Sequence, residues 1–469
     1  MHSKEKIIVI IGFGFSGTLC AAHLIQESTH PIEIILIDGS SNHCRGIAYS
    51  TYSDRHLLNV TASKMSAFED EPEHFTSWLK KKQLYSKEIS VDKIFAPRNF
   101  YGKYLEEIWE TAKTLAVKKN IKIQVLKNYA QNIKFNNDEV EIYLDDGEVM
   151  NGTHCILATG NDIPGNLDIP DKKVFLSKNY FQNPWNEKAV KNVNMNLPVL
   201  IIGNGLTMTD TVIGLLENNF EGEIISISSN GFNIFPHIQY SVNYQELIKD
   251  WISIKDKNLY RLVVLFNHHR KLLKKNNLGP EPLIDSLRTH TQTIWRILSV
   301  EEKKIFISRL RHLWGVARHR IPMETFDFIK SLQHKNKLKI LAGKILTISE
   351  SKNVFTVEFY DKRSLQKTEL KVSRIINCTG PQTDLSLSKN RLLSTLYKNK
   401  YIEQDKIKLG IKTNLENFKV VNVKGMEYAN FYTLGSNLKG ELWESTAVNE
   451  IRIQAKKLAC IILKDQEMC

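Results

Sequence analysis

Two rhythms of apolar and polar positions run along this chain, and each predicts a kind of element. Ile7 to Ile11 is a continuous β-branched run, the pattern of a strand buried on both faces of a parallel sheet. Gly12, Gly14 and Gly17 follow, then a helical stretch to about Gln26 and a second apolar strand, Ile32 to Ile37, ending on Asp38. Together these predict one strand–helix–strand unit. The same succession returns later: Pro198 to Ile202 as a strand, a turn with Gly203 and Gly205, Leu206 to Leu216 as a helix, and Glu223 to Ile227 as the next strand.

Each unit leads, after a long interval, to a similar ending. In the first half, Ile121 to Val125 and the alternating Val140 to Leu144 precede an apolar strand from Cys155 closed by Thr159-Gly160. In the second, Leu338 to Leu341 and the alternating Val354 to Phe359 precede a strand from Arg374 closed by Thr379-Gly380. One glycine loop arising by chance would not carry this whole parallel with it. The expected fold is α/β, with two Rossmann-like dinucleotide-binding domains, each bearing a small antiparallel β-meander. Residues from about 245 to 334 are rich in Leu, Ile, Trp and Arg at helical spacing and predict a helical insertion, with Trp295, Leu310 and Trp314 among its packing residues. After Gly380 the chain returns through Phe431 to Gly435 and a last helix from about Thr446 to Leu463. The expected division is therefore a discontinuous FAD-binding domain, 1–190 with 381–469, and an NAD(P)-binding domain, 191–380.

Composition narrows the function classes. At 469 residues, 42% hydrophobic and 25% charged, the chain has room for two or three folded units. Cys20, Cys44, Cys155, Cys378, Cys460 and Cys469 include no C-x-x-C pair and no spacing with His that suggests zinc. A reduced, cytoplasmic protein with no metal and no redox-active disulfide is expected. The net charge of +13 is mostly lysine spread along the chain, densest from His268 to Lys275. No aromatic residues interleave with that run, so it reads as a solvated helix face and not as a specific nucleic-acid surface. A basic field also gathers anionic dinucleotides. The apolar segment Ile7 to Ile25 contains three glycines and His23, which marks a buried strand and helix and not a transmembrane segment. There is no Ser-His-Asp order and no nucleophile elbow to support a hydrolase. Oligomeric state stays open.

The glycines carry the chemistry. In the first loop, Gly12 makes the tight turn, Gly14 lets the backbone approach a pyrophosphate, and Gly17 lets helix and strand pack closely. The amides of Phe15, Ser16 and Gly17 then present the positive helix end to the phosphate. Asp38, 21 positions after Gly17, is placed to accept the ribose hydroxyls of an adenosine. In the second loop, Gly203, Gly205, Leu206 and Thr207 occupy matching positions, but Met208 stands where the third glycine would be. The strand after it ends in Ser228-Ser229-Asn230-Gly231, with neither the acid expected for NAD nor an arginine for the 2′-phosphate of NADP. NADPH and NADH both remain open there, and the alternative for either loop is a glycine turn that binds nothing.

Residues 6–38, Arg45 to Thr51, His56 to Val60 with Lys64 to Phe68, and Pro97-Arg98 with Tyr101 to Leu105 resemble the bacterial FAD/NAD(P)-binding protein family. So do Asn183-Pro184-Trp185, the second loop, Arg318 to Pro322 and Leu442 to Val448. That family is distantly similar to the flavin-dependent lysine and ornithine N-hydroxylases. Asn230 departs from it, where the resemblance implies a basic residue. The resemblance also implies that Thr159 and Gly160 lie near the FAD adenosine and pyrophosphate. By the same analogy Gly435 precedes a helix, starting near Thr446, whose N-terminus faces the flavin; Ser436 stands where many relatives place an Asp. Asn59, Lys64 and Met65 are candidates for lining the isoalloxazine, the alternative being a loop held by its own amides. His56, His237 and His319 sit beside these motifs and read first as satisfied structural histidines.

The implied activity is an FAD-dependent NAD(P)H oxidoreductase, foremost a monooxygenase using O2 on a small-molecule substrate. An NAD(P)H oxidase or electron-donating reductase is one alternative; a non-enzymatic dinucleotide-bound partner or sensor is another.

Overall fold

The computed structural model describes residues 6–86, 88–136, 139–237 and 242–464. Cys469 lies outside them. The chain divides into two compact units, 1–162 with 383–469, and 163–382.

The first unit is built on a six-stranded sheet in the order Lys419–Val421, Glu427–Thr433, His154–Leu157, Ile7–Ile11, Glu33–Ile37, Lys122–Leu126. Ile7–Ile11 pairs in parallel on both sides, Ile11 lying opposite Ile37 and opposite Leu157. Its side chains alternate between two cores. Ile8 and Ile10 pack with Ile34, Leu36 and Ile156 under the helices Phe15–Glu27, Arg98–Lys118 and Val448–Lys464. Val9 and Ile11 pack with Ile35, Ile37 and Leu157 under the meander Ala130–Phe135, Val140–Leu144, Val149–Gly152 and the helix Arg391–Lys398. Water reaches neither face, which is why the strand is apolar at every position. Lys122–Leu126, expected to lead into the meander, is instead the parallel edge of the main sheet, paired with Glu33–Ile37.

In the second unit the order is Gln366–Val372, Val354–Asp361, Leu338–Ser351, Ile224–Ser228, Val199–Ile202, Arg374–Asn377, Tyr180–Phe181. Leu338–Ser351 is one strand of 14 residues: its start runs parallel to Ile224–Ser228, and from Gly343 onward it pairs antiparallel with Val354–Asp361. Tyr180–Phe181 pairs with Ile375 and Ile376, so residues 163–190, expected in the first domain, belong to the second unit.

The helical insertion is also shorter than expected. Met323–His334 buries Ile329 and Leu332 against Val199, Ile201 and Leu338, so it is the crossover helix of the sheet. The inserted helices run from Glu246–Ser253 to Arg311–Arg318, around Leu247, Trp251, Leu273 and Leu283. Trp295 is buried and Trp314 packs on that core, whereas Leu310 is only half-buried, in the π-helical turn Phe306–Leu310. Arg320 closes the insertion, its guanidinium bonding Asp285 at 3.1 and 3.2 Å and the carbonyls of Glu281 and Ala317. No described helix is long and apolar enough to cross a membrane.

Candidate functional site

The first glycine turn sits where three strands meet. The Gly12 N–H donates to the Ile37 carbonyl at 2.9 Å, and the Ala158 N–H donates to the Ile11 carbonyl at 2.8 Å. Gly12 has φ +104°, and a Cβ there would stand 2.2 Å from the Ala158 oxygen. A Cβ on Gly17 would stand 2.0 Å from the Gly12 oxygen. Both positions exclude a side chain by contact. Gly14 faces Gly46, which has φ +63°, at 3.1 Å from where its Cβ would be. The helix that starts at Phe15 has no acid in its first turn, and its first amides lack intrahelical acceptors, a geometry that suits an anion. The Phe15 ring faces inward onto Tyr49 and Tyr101, leaving its backbone for the cradle.

Asp38 is fixed at the end of its strand: Oδ2 accepts the Phe13 N–H and Oδ1 the Ser40 N–H, both at 2.8 Å. Each oxygen keeps a second lone pair for a ribose hydroxyl.

Gly435 lies against the same helix start. It has φ +72°, and a Cβ would meet the Ser16 hydroxyl at 2.9 Å. Gln454 accepts its N–H at 2.9 Å, Ser445 donates to its carbonyl at 2.6 Å, and Gln454 donates to Ser445 at 3.0 Å. Asn437 donates to Thr159 at 3.1 Å and to Thr433 at 3.0 Å. The Ser436 hydroxyl, shielded from solvent, has no hydrogen-bond partner. An orphaned hydroxyl beside a phosphate cradle fits a polar group of a bound FAD. Gly46, Ser445, Gln454 and Asn437 were not singled out from the sequence; only Gly46 and Ser445 had a signal, through the motifs around them.

The remaining candidates separate. Met65 is 4% exposed and packs in the core beside Ala62 and Ala67, Lys64 is exposed, and Asn59 is half-buried. Their loop is pinned by Tyr104, whose hydroxyl accepts the Ala67 N–H at 3.1 Å and meets His74 Nδ1 at 2.7 Å, and by Arg452, which donates to the Ser66 carbonyl at 2.9 Å. Thr446 is exposed, ahead of a helix that starts at Val448; Gly160 is exposed as well. His56 is buried with Nδ1 on the Thr51 hydroxyl.

The second turn repeats the two strand-crossing bonds of the first. Gly203 donates to Ile227 at 2.7 Å and Cys378 to Ile202 at 2.8 Å. Gly203 has φ +98°, and its Cβ would stand 2.6 Å from the Cys378 oxygen. Gly205 opens the helix at φ −86°, ψ −165°, against −90°, −158° at Gly14, and nothing lies within 4 Å of where its Cβ would be. Leu206 and Thr207 supply the first-turn amides. Met208 is 2% exposed, its N–H reaching back to the Gly205 carbonyl at 3.0 Å, so the first turn is drawn tight and the side chain enters the core. Ser228, not an acid, occupies the place of Asp38, and its hydroxyl accepts the Gly231 N–H at 3.0 Å.

Residues 9–162 match the FAD-NAD(P)-binding family model. No curated protein matches the chain in sequence. Among solved structures, the ornithine N-hydroxylase of Kutzneria sp. 744, with reduced FAD, NADP+ and L-ornithine, shares 12% identity over 99% of this chain and 100% of its own, with a TM-score of 0.67. The reduced ornithine hydroxylase of Pseudomonas aeruginosa shares 12% over 99% and 100%, with a TM-score of 0.65. The L-lysine 6-monooxygenase of Pseudomonas syringae shares 13% over 98% and 99%, with a TM-score of 0.61. The likeness covers both units and identifies the fold as the one these proteins share.

Proposed function

We propose that this protein is an FAD-dependent NAD(P)H oxidoreductase that hydroxylates a small amine with O2. The observation that carries the reading is the repetition of one glycine turn with two different ribose positions, Asp38 after the first and Ser228 after the second. Two dinucleotides of different chemistry are what such a pair serves. FAD, when bound, takes a hydride from the nicotinamide and activates oxygen. The chain's own task is to hold and orient. The amides of Phe15, Ser16 and Gly17 would hold the FAD pyrophosphate, Asp38 the adenosine ribose, and Ser436 a polar group of the flavin half. Gly205, Leu206 and Thr207 would hold the pyrophosphate of the nicotinamide dinucleotide.

The amine class follows from the ornithine N-hydroxylase and the L-lysine 6-monooxygenase whose fold this chain shares. The five described cysteines are free, and burial pushes the Cys20, Cys44 and Cys378 thiols up to about 12. Inert thiols of this kind support a reducing, cytoplasmic setting.

The test is to load the protein with FAD, add NADPH or NADH without oxygen, then admit oxygen with and without candidate amines. Flavin bleaching followed by amine-dependent formation of a hydroxylamine is expected. Full-rate NAD(P)H consumption without any amine would make the protein an oxidase.

A further inference from the structure

We infer that Lys362 forms the seat for a 2′-phosphate at the second glycine turn, making the dinucleotide there NADPH. The inference rests on the reading above and names the dinucleotide it leaves open. The two turns align through their hydrogen bonds, Gly12 to Ile37 and Gly203 to Ile227, which makes Ser228 the counterpart of Asp38. A carboxylate at that place would repel a 2′-phosphate; Ser228 does not. Ser229, Asn230 and Gly231 bring no cation, so the charge has to come from elsewhere in the fold.

The sheet supplies it. Ser228 lies opposite Ala342 in the parallel register, and the Ala342 carbonyl accepts the Lys362 N–H at 2.8 Å. Ser228, Ala342 and Lys362 therefore stand in a row across three strands, which at ~4.8 Å per strand puts Lys362 about 10 Å from Ser228. The loop after Ser228 folds back over this row: Gly231 has φ +60°, and its Cβ would come 2.8 Å from the Ala342 Cβ. Asp361, the nearest carboxylate in sequence, accepts the Arg363 N–H at 2.7 Å within its own turn. Lys362 itself is exposed.

His312, in the last inserted helix, Arg311–Arg318, feels the charge of the same lysine. His312 is held below the usual histidine range by burial first, and then by the like charges of Arg311 and Lys362. A cation placed across the sheet from the end of the strand that follows a phosphate-binding turn suits a doubly charged phosphate, which a lysine binds as a point charge on a flexible stem.

The test uses the full FAD-loaded chain and calorimetric titration with 2′,5′-ADP and, separately, with 5′-AMP. The wild type is expected to bind 2′,5′-ADP about tenfold or more tighter than 5′-AMP, the worth of one good phosphate contact. Lys362→Met should remove most of that preference while leaving 5′-AMP affinity, flavin content and melting temperature in place. Ser228→Asp should weaken 2′,5′-ADP alone. Equal wild-type affinity for the two probes, or a preference that survives Lys362→Met, overturns the inference. A Lys362-dependent preference in a protein whose flavin NADPH fails to bleach would keep the phosphate seat and reject the oxidoreductase reading; failure to bind either probe would reject both.

Discussion

The two glycine turns share a backbone and differ in what the backbone is fitted with. Gly12 and Gly203 are interchangeable in role, each with φ near +100° and each pressed against a carbonyl of the strand that closes its unit. The third position is not interchangeable. A Cβ on Gly17 would collide with the Gly12 carbonyl, whereas Met208 fits because its turn is tightened and its side chain has a core to enter. The strand after each turn ends differently too, in a carboxylate or a hydroxyl. The lesson is that the first glycine is required by geometry wherever this crossing occurs, while the third glycine and the acid depend on what surrounds each turn and what it holds.

The largest effects should come from the shared position. Gly12→Val adds a strained φ and a backbone clash, together about 3 kcal/mol or more. Flavin content after purification with excess FAD should fall to near zero. Gly203→Val should keep its flavin and lose bleaching by NADPH; if both variants lose flavin equally, the turns do not serve separate dinucleotides.

Met208→Gly comes next. Removing a side chain that is 2% exposed should cost about 3 kcal/mol, read as a lower denaturation midpoint, with no gain in dinucleotide affinity. Tighter binding without loss of stability would mean that the second turn is a decayed copy of the first.

A pH difference should separate the units as well. His23, on the first helix, aligns with Gly214 on the second. Burial, with help from Lys456, pushes His23 down to about 4 from 6.5, and neither ring nitrogen has a partner. The folded value lies below the unfolded one, so the unfolded chain binds more protons and stability is lost as pH falls from about 6.5 toward 4. That loss is about 2 kcal/mol between pH 7 and pH 5. His23→Leu should shrink the drop in melting temperature over that interval; an unchanged drop would show that His23 does not control it.

The smallest effect belongs to Asp38→Asn. One backbone amide would lose its acceptor, at a cost of about 1–2 kcal/mol, and FAD should bind roughly tenfold more weakly in a fluorescence titration.

The sequence was most legible where two constraints coincide. Ile7–Ile11 is buried on both faces and ends at a glycine with no steric alternative, so the strand and the turn were found to the residue. It was least legible where one element serves two purposes. Leu338–Ser351 begins as a buried parallel strand and continues as half of an antiparallel pair, so only its apolar start stood out. Tyr180–Phe181 is too short to carry a pattern, so nothing in the sequence ties residues 163–190 to the second unit. Within the site, Gly12, Gly14, Gly17 and Asp38 were readable from spacing. Asn437 was not, because its partner Thr159 lies 278 residues away, and Gln454 was not, because its bonds to Gly435 and Ser445 appear only once the loop ahead of its helix has folded back. Met65, within the motif from Lys64 to Phe68, packs in the core.

One measurement bears most directly on the claim that two turns of one design hold two dinucleotides. The FAD-loaded protein is mixed with NADPH in the absence of oxygen while the visible flavin absorbance is followed, in the wild type and in Gly203→Val. The account expects bleaching in the wild type and a stable yellow protein in the variant. A wild-type protein that stays colourless with added FAD, or whose flavin NADPH and NADH both fail to bleach, would contradict it.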